Sequence, residues 1–177
     1  MTESDQTHPT QQITVIGSGS WGTAVAAMNA DTADTTIRAR RPGVARDITE
    51  SHENSSYLPG HSLPDALHAT SDLEEAVTGA DVLIIGVPSQ GYREVLIPVA
   101  GLIGPSTPIL SLSKGIERDT LMRMTEVTVD VLDGHDASKV GALTGPNLAR
   151  EIIAGQPAAT VIALSLIHIS EPTRLLV

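Results

Sequence analysis

The chain has 177 residues, which is the length of one domain with a sizeable hydrophobic core, and its mean hydropathy is +0.07. No stretch approaches the roughly 18 uninterrupted apolar residues of a membrane helix, so we expect no membrane partner. The net charge of -10 disfavours non-specific binding to nucleic acids, and the lack of cysteine excludes thiolate metal sites, so we expect neither a nucleic-acid partner nor a metal.

Residues 1–11 are polar and lack the basic start and the apolar stretch of a signal peptide. We expect them to form a disordered lead-in, and we expect the protein to be cytoplasmic. From residue 12 to residue 163, short apolar segments rich in β-branched residues alternate with helix-like segments. This alternation predicts one α/β domain with a doubly wound, mostly parallel sheet that is covered by helices on both faces.

Seven strands and six helices are predicted within this domain. In chain order, the strand sequences are ITVIG, TTIRA, LHATS, DVLIIGV, PILSLS, KVGAL and ATVIAL. The helices are predicted to begin at Trp21, Pro42, Asp72, Gln90, Asp119 and Asn147. Ser71, followed three residues later by Glu74, predicts a capping box at the third helix. The longest irregular segment, SHENSSYLPGHSLPDA at residues 51–66, has the length of loops that often carry function, and we name it the long loop.

The strongest motif is a glycine turn between the first strand and the first helix. Gly17, Gly19 and Gly22 form the pattern G-x-G-x-x-G in the context of a dinucleotide-binding fingerprint, which predicts a Rossmann-type sheet. In such turns the first glycine allows a tight bend, the second lets the backbone approach a pyrophosphate, and the third lets helix and strand pack closely. The alternative is a glycine turn in an unrelated α/β protein. Trp21 has an alternative of its own, since it could simply pack against the sheet.

The end of the second strand predicts the cofactor. NAD-binding proteins usually place Asp or Glu there for the ribose hydroxyls, whereas this chain reads IRARRPG. Arg40 and Arg41 can pair with a 2′-phosphate that a carboxylate would repel, so we expect NADP as the cofactor and NAD as the second choice. The alternative is that both arginines are solvated residues at the start of a helix.

Three further loops follow predicted strands at the same edge of the sheet, namely GVPSQ, SKGIE and TGPNLAREI. Because ligands of doubly wound sheets bind outside the carboxyl ends of the strands, we expect all three loops to face the cofactor. Lys114 is the only lysine in these loops and could hold a phosphate or a carbonyl oxygen; the alternative is an exposed lysine without a ligand. Gly145 and Pro146 precede a predicted helix whose first amides could meet an anion.

Six segments together resemble the N-terminal domain of bacterial NAD(P)-dependent glycerol-3-phosphate dehydrogenase. They are VIGSGSWGTA, ARRP, HENSSYLPG, VPSQGYREVL, SLSKGIE and GALTGPNLAREIIAGQPAATVIA, and they cover roughly residues 12–163. The resemblance implies an enzyme that interconverts dihydroxyacetone phosphate and sn-glycerol 3-phosphate for phospholipid synthesis. It also implies a phosphorylated small-molecule substrate and a homodimer of the full-length protein.

The resemblance further implies roles for individual residues. Ten of them would contact the cofactor: Gly17, Gly19, Ser20, Trp21, Gly22, Arg40, Arg41, Tyr57, Lys114 and Ala149. Lys114 would also touch the substrate, together with Gly145 and Asn147. Asn147 stands where many family members have Ser or Thr.

The resemblance places the catalytic proton donor outside this chain. In the family, a helical C-terminal domain supplies the lysine that acts as general acid and base, and we expect that domain to be missing here. Residues 164–174 read LSLIHISEPTR, which resembles a translated adapter of transposon-based sequencing libraries. We therefore expect residues 164–177 to be a non-native tail, and the chain alone to be inactive, with no catalytic residue of its own.

Two alternative functions fit parts of the sequence. One is another two-domain reductase, of the 6-phosphogluconate or 2-dehydropantoate type, although Lys114 in SKGIE and the TGPNLA loop argue against it. The other is a dinucleotide-sensing module without chemistry. Such a module would not need a lysine at the substrate end of the sheet.

Overall fold

The computed structural model describes residues 10–145 and 148–164, and these residues contain one seven-stranded sheet. The strands are β1 (Gln12–Ile16), β2 (Asp34–Arg38), β3 (His68–Thr70), β4 (Val82–Ile85), β5 (Ile109–Ser111), β6 (Val140–Thr144) and β7 (Val161–Leu164). Their order is β3-β2-β1-β4-β5-β6-β7; β1 to β6 are parallel, and β7 pairs antiparallel with β6. The prediction of a doubly wound, mostly parallel Rossmann-type sheet is confirmed, and each predicted strand overlaps an observed one.

Six helices in the described part of the chain cover the two faces of the sheet. They are α1 (Ser20–Ala30), α2 (Pro42–Ser51), α3 (Leu73–Val77), α4 (Tyr92–Leu96), α5 (Met124–Val131) and α6 (Ala149–Ile153), with 3-10 turns at Ser89–Gly91, Ile97–Val99 and Ala137–Lys139. One core, which includes Val25 and Ile48, joins α1 and α2 to one face of the sheet. A second core, which includes Val77, Leu96 and Val127, joins α3, α4 and α5 to the opposite face.

The outer parts of the predicted domain lie close to the limits of the described residues. Gln11 precedes β1, and its carbonyl accepts a hydrogen bond from the amide of Asp34. β7 ends at Leu164, one residue beyond the predicted domain boundary at residue 163. Most of the predicted lead-in, residues 1–9, and residues 165–177 of the predicted tail lie outside the described residues.

Helix α3 begins with a different cap from the predicted one. Asp72 is the N-cap, and its carboxylate accepts a hydrogen bond from the amide of Glu75 at 3.1 Å. Thr70 supports this cap, since its hydroxyl accepts from the amide of Asp72 and donates to the Glu75 carboxylate. The predicted capping box of Ser71 and Glu74 is wrong, because a better cap residue stands one position later and moves the pairing to Glu75.

Helices α4 and α5 also begin later than predicted. The predicted start at Gln90 falls in the 3-10 turn that leads into α4. The predicted start at Asp119 is wrong, because α5 begins at Met124. Residues 117–122 instead form a closed turn, in which Leu121 has a φ of 58°, a left-handed conformation that a right-handed helix cannot contain.

Candidate functional site

The glycine turn joins β1 to α1 beside the neighbouring strand β4. Gly17 has a φ of 115°, and a Cβ atom there would collide with the carbonyl oxygen of Gly86. A Cβ atom at Gly22 would collide with the carbonyl oxygen of Gly17. Only glycine at these positions lets β1, α1 and β4 approach so closely, which is the packing role that the motif predicts.

Gly19 differs from the other two glycines, because a Cβ atom there would meet no atom within 4 Å. It is the N-cap of α1, and no side chain in the described residues caps the first amides of this helix. Uncapped amides at a helix N-terminus bind anions, and the helix dipole favours negative charge there. The turn therefore offers both the space and the donors that a pyrophosphate needs.

Two adjoining cavities lie along this edge of the sheet. The glycine-turn cavity, of about 290 Å³, is lined by Gly19, Ser20, Trp21, Gly22, Gly86, Val87, Pro88, Leu112, Ser113 and Lys114. The lysine cavity, of about 230 Å³, is lined by Trp21, Leu112, Lys114, Leu143, Thr144 and Gly145. Residues of the loops after β4, β5 and β6 thus line adjoining cavities, and their contact with the cofactor stays a prediction. Because Trp21, Leu112 and Lys114 line both cavities, two ligands can lie end to end across them.

Lys114 is exposed and stands between the two cavities. Its ammonium group donates a hydrogen bond to the carbonyl oxygen of Gly145 at 3.3 Å. This contact brings together two of the three residues predicted to bind the substrate, whereas Asn147 lies outside the described residues. An ammonium group has three donors, so Lys114 can contact Gly145 and still bind an anion or a carbonyl oxygen.

Trp21 and Ala149 have different positions at the site. Both pack against a small buried cluster of Ala24, Leu58 and Ile152. Trp21 also lines both cavities, so its packing role and its predicted contact with the cofactor are compatible. Ala149 lines neither cavity, and its predicted contact with the cofactor stays a prediction.

Arg40 and Arg41 follow β2, and both are exposed. Neither forms a salt bridge with a carboxylate in residues 10–145 or 148–164. The guanidinium carbon of Arg41 lies 5.6 Å from the centre of the Tyr57 ring, which is within the range of a cation–π contact. The carboxyl end of β2 therefore presents two cations without a carboxylate partner, which favours a ligand that carries a phosphate.

A buried asparagine, which the sequence analysis did not single out, attaches the long loop to the glycine turn. Asn54 is 1% exposed, and its Nδ2 donates to the carbonyl oxygen of Ser18 at 2.9 Å and to Oγ1 of Thr23 at 2.8 Å. The hydroxyl of Ser20 donates to the carbonyl oxygen of Tyr57 at 2.9 Å. The long loop thereby holds Tyr57 beside the glycine turn. The only sequence signal for Asn54 is its place in the segment HENSSYLPG.

The positive charge of the site comes from side chains and helix amides. No group of three or more His, Asp or Glu side chains that could hold a metal ion occurs in the described residues. No helix in the same part of the chain is both long enough and apolar enough to cross a membrane. Lys114, Arg40, Arg41 and the amides of α1 can attract an anionic ligand here.

Comparison with known proteins gives consistent matches over this domain. A family model described as NAD-dependent glycerol-3-phosphate dehydrogenase N-terminus matches residues 12–169. The glycerol-3-phosphate dehydrogenase (NAD(P)+) 2 of Sphingopyxis alaskensis is 49% identical over 154 residues, which are 87% of this chain and 45% of that protein. The corresponding enzyme of Corynebacterium jeikeium is 48% identical over 153 residues, which are 86% of this chain and 46% of that protein.

A solved structure agrees with these matches. The crystal structure of glycerol-3-phosphate dehydrogenase from Coxiella burnetii superposes with a TM-score of 0.77 at 28% identity, over 86% of this chain and 46% of that one. The chain thus spans about half the length of the curated relatives it matches. The resemblance carried by the six segments is confirmed, and the matches favour neither alternative function. The chain belongs to the family of N-terminal domains of NAD-dependent glycerol-3-phosphate dehydrogenase.

Proposed function

We propose that this chain is the NADP(H)-binding domain of an sn-glycerol-3-phosphate dehydrogenase. In full-length form, that enzyme interconverts dihydroxyacetone phosphate and sn-glycerol 3-phosphate, with NADP favoured over NAD. One observation carries the proposal: the two cavities share Trp21 and Lys114, with the glycine turn in one cavity and Gly145 in the other. A dinucleotide in the glycine-turn cavity and a small phosphorylated ketone in the lysine cavity would meet beside Lys114.

The residues at the cofactor end fit a dinucleotide. The pyrophosphate would lie at Gly19, against the uncapped amides of α1. Arg40 and Arg41 would hold the 2′-phosphate, and the ring of Tyr57 supports the guanidinium group of Arg41. When bound, the nicotinamide supplies or accepts the hydride.

At the substrate end, Lys114 would hold the phosphate or the carbonyl oxygen of the substrate. Its hydrogen bond to Gly145 joins two residues that line the lysine cavity. We assign Asn147 to the substrate, and Ala149 to the cofactor, on the family resemblance. On the family resemblance, we also assign the proton donor to a lysine of a helical C-terminal domain, so that this chain would contribute binding and orientation rather than acid–base catalysis.

The family resemblance supports three further parts of the proposal. The full-length protein would act in the cytoplasm, its product would serve phospholipid synthesis, and it would form a homodimer. The net charge of -10 agrees with a small-molecule partner rather than nucleic acid.

Titration of residues 1–177 with NADPH, followed by the fluorescence of the reduced nicotinamide, tests the proposal. The chain should bind NADPH, and Gly19→Val should weaken binding by about 100-fold or more, since the branched side chain fills the pyrophosphate space and removes charge-assisted hydrogen bonds. Gly104→Val, at an exposed glycine in the segment before β5, is the matched control and should bind like the unchanged chain. A folded Gly19→Val variant with unchanged affinity would show that the dinucleotide binds elsewhere.

A further inference from the structure

In the proposed site Lys114 would contact both cofactor and substrate, yet its side chain is exposed. In the described residues, its ammonium group makes one hydrogen bond, to the carbonyl oxygen of Gly145 at 3.3 Å. A long, exposed lysine side chain has many rotamers, so its position depends strongly on the backbone that carries it. That backbone is residues 114–123, which we name the lysine loop.

Two side chains of the segment that follows β4 hold the lysine loop. Arg93 donates to both carboxylate oxygens of Glu117, from Nε at 2.8 Å and from Nη2 at 3.0 Å. Gln90 donates from Nε2 to the carbonyl oxygen of Ile116 at 3.0 Å, and its Oε1 accepts from the amide of Arg118 at 3.3 Å. These contacts hold residues 116–118, which lie two to four residues after the lysine.

Arg93 is held from its other side by α5. Its Nη1 donates to the carboxylate of Asp130, so all three nitrogens of the guanidinium group have partners. The neighbouring Tyr92 is fully buried, and its hydroxyl lies 3.0 Å from Oγ1 of Thr128. Helices α4 and α5 therefore form a fixed support for the Arg93 side chain.

The ion pair is partly shielded and stays charged. The side chains of Arg93 and Glu117 are 29% and 13% exposed. The hydrogen bonds from Arg93, and then the one from Thr120, lower the pKa of Glu117 to about 2. Glu117 is therefore ionised at any pH at which a dehydrogenase would be assayed.

We propose that Arg93 is a positioning residue, which fixes the ammonium group of Lys114 between the two cavities by holding Glu117. The proposal rests on the proposed function, in which Lys114 touches cofactor and substrate. Gly115 and Ile116 alone separate Lys114 from Glu117, so the two residues are joined by at most about 10 Å of chain. A displacement of Glu117 is thus transmitted to the lysine over a short distance.

The segment that follows β4 also lines the cofactor side of the site. Val87 and Pro88 line the glycine-turn cavity and directly precede the 3-10 turn that contains Gln90. The hydroxyl of Ser113, the residue before the lysine loop, donates to the carbonyl oxygen of Val87, which ties the loop to the segment that follows β4. Because two carboxylates pair with Arg93, its charge does not compete with Lys114 for an anionic ligand.

The lysine content of the chain allows a direct test. Lys114 and Lys139 are the only lysines in the sequence, so reductive methylation with 13C-formaldehyde gives two lysine NMR signals, assigned with Lys114→Arg. In residues 1–177, addition of NADPH should shift the Lys114 signal and leave the Lys139 signal in place. In Arg93→Gln, the free Lys114 signal should move, and its NADPH-induced shift should fall by about half or more, because the loop no longer holds the ammonium group in one place.

Two variants separate positioning from a general loss of stability. Arg93→Lys keeps the charge but cannot donate to both carboxylate oxygens in the same way, so its Lys114 response should lie between those of Arg93→Gln and the unchanged chain. Arg46→Gln is the matched control, since it removes an exposed arginine of α2 outside the lysine loop, and it should leave the Lys114 signal unchanged. A folded Arg93→Gln variant with the Lys114 signal and response of the unchanged chain would overturn the proposal.

A further variant keeps the proposal testable if Arg93→Gln does not fold. Gln90 is exposed, and Gln90→Ala removes the two hydrogen bonds to the lysine loop without breaking the ion pair. We expect a smaller displacement of the Lys114 signal in the same direction, and an unmoved signal would count against positioning from this segment. Failure of the proposed function would differ from both results, because the unchanged chain would then not bind NADPH, whereas the free Lys114 signal can be compared without any ligand.

Discussion

Arg40 and Arg41 determine the charge at the carboxyl end of β2. Both side chains are exposed and have no carboxylate partner in the described residues, whereas Arg93 and Arg123 are paired with carboxylates. Arg41 also contacts the ring of Tyr57, which limits the directions its guanidinium group can take. A 2′-phosphate would thus find one oriented cation and one free cation at this position.

We expect residues 1–177 to bind NADPH more tightly than NADH, and we expect Arg40→Ala combined with Arg41→Ala to remove most of that preference. Affinity for NADPH should fall by about 10- to 100-fold, as expected for the loss of charge-assisted hydrogen bonds, while affinity for NADH changes little. Isothermal titration with both cofactors measures the effect. Arg46→Ala, at an exposed arginine of α2, is the control. Equal affinity of the unchanged chain for both cofactors would refute the assignment of the two arginines.

At the scale of elements, the contact between α4 and the lysine loop gives the fold a specific dependence on pH. The pKa of Glu117 in the folded chain is about 2, below its ordinary value of 4.5, because of its hydrogen bonds to Arg93 and Thr120. A carboxyl group with a lowered pKa in the folded state stabilises that state above its unfolded pKa. The contribution is lost as pH falls through about 4.5 towards 2.

We therefore expect Glu117→Gln to be less stable than the unchanged chain at pH 7, and the difference to shrink steadily between about pH 5 and pH 2. Urea unfolding at pH 7, 5 and 3, followed by circular dichroism, measures it. Glu126→Gln is the comparison, since the pKa of Glu126 is also lowered to about 2 by Arg123 but the pair is more exposed, so its effect at pH 7 should be smaller. A difference for Glu117→Gln that is constant over this range would show that the ion pair does not contribute.

The elements that were predictable from sequence are those with a local signal. Strands β1, β4 and β7 are short, largely apolar segments rich in β-branched residues, and the glycine turn is specified by three residues within six positions. The start of α5 was not predictable, because it depends on Leu121 in a left-handed conformation and on the pairing of Glu117 with Arg93, 24 residues earlier. Asn54 was missed for the same reason, since its partners lie 31 and 36 residues earlier in the chain.

At the scale of the whole molecule, the described residues provide a binding surface with cavities on one edge of a sheet. Ligands would contact the loops after β1, β4, β5 and β6 from one side. The curated relatives are about twice as long as the part of this chain that matches them. A ketone that receives a hydride needs a positioned proton donor, and general acid catalysis contributes about 10²- to 10⁴-fold. Our proposal assigns that donor to the part of the protein that these residues do not include.

We accordingly expect residues 1–177 to bind NADPH but to reduce dihydroxyacetone phosphate at less than about a tenth of the rate of a full-length enzyme, since both the proton donor and part of the substrate site would be absent. Oxidation of NADPH, followed by its absorbance with and without dihydroxyacetone phosphate, measures the rate. The full-length relative from Sphingopyxis alaskensis is the positive control. Turnover within tenfold of that enzyme would contradict the assignment of the donor.

The attachment of the long loop by Asn54 makes two distant parts of the chain cooperative. Its hydrogen bond to Thr23 is buried and the one to Ser18 is partly buried, so detachment of the loop would break both bonds beside the glycine turn. Any ligand that stabilises the turn must therefore also suppress local unfolding of the loop. Disorder of the loop must in turn make the free energy of ligand binding less favourable by the same amount. The long loop thus becomes part of the thermodynamics of ligand binding.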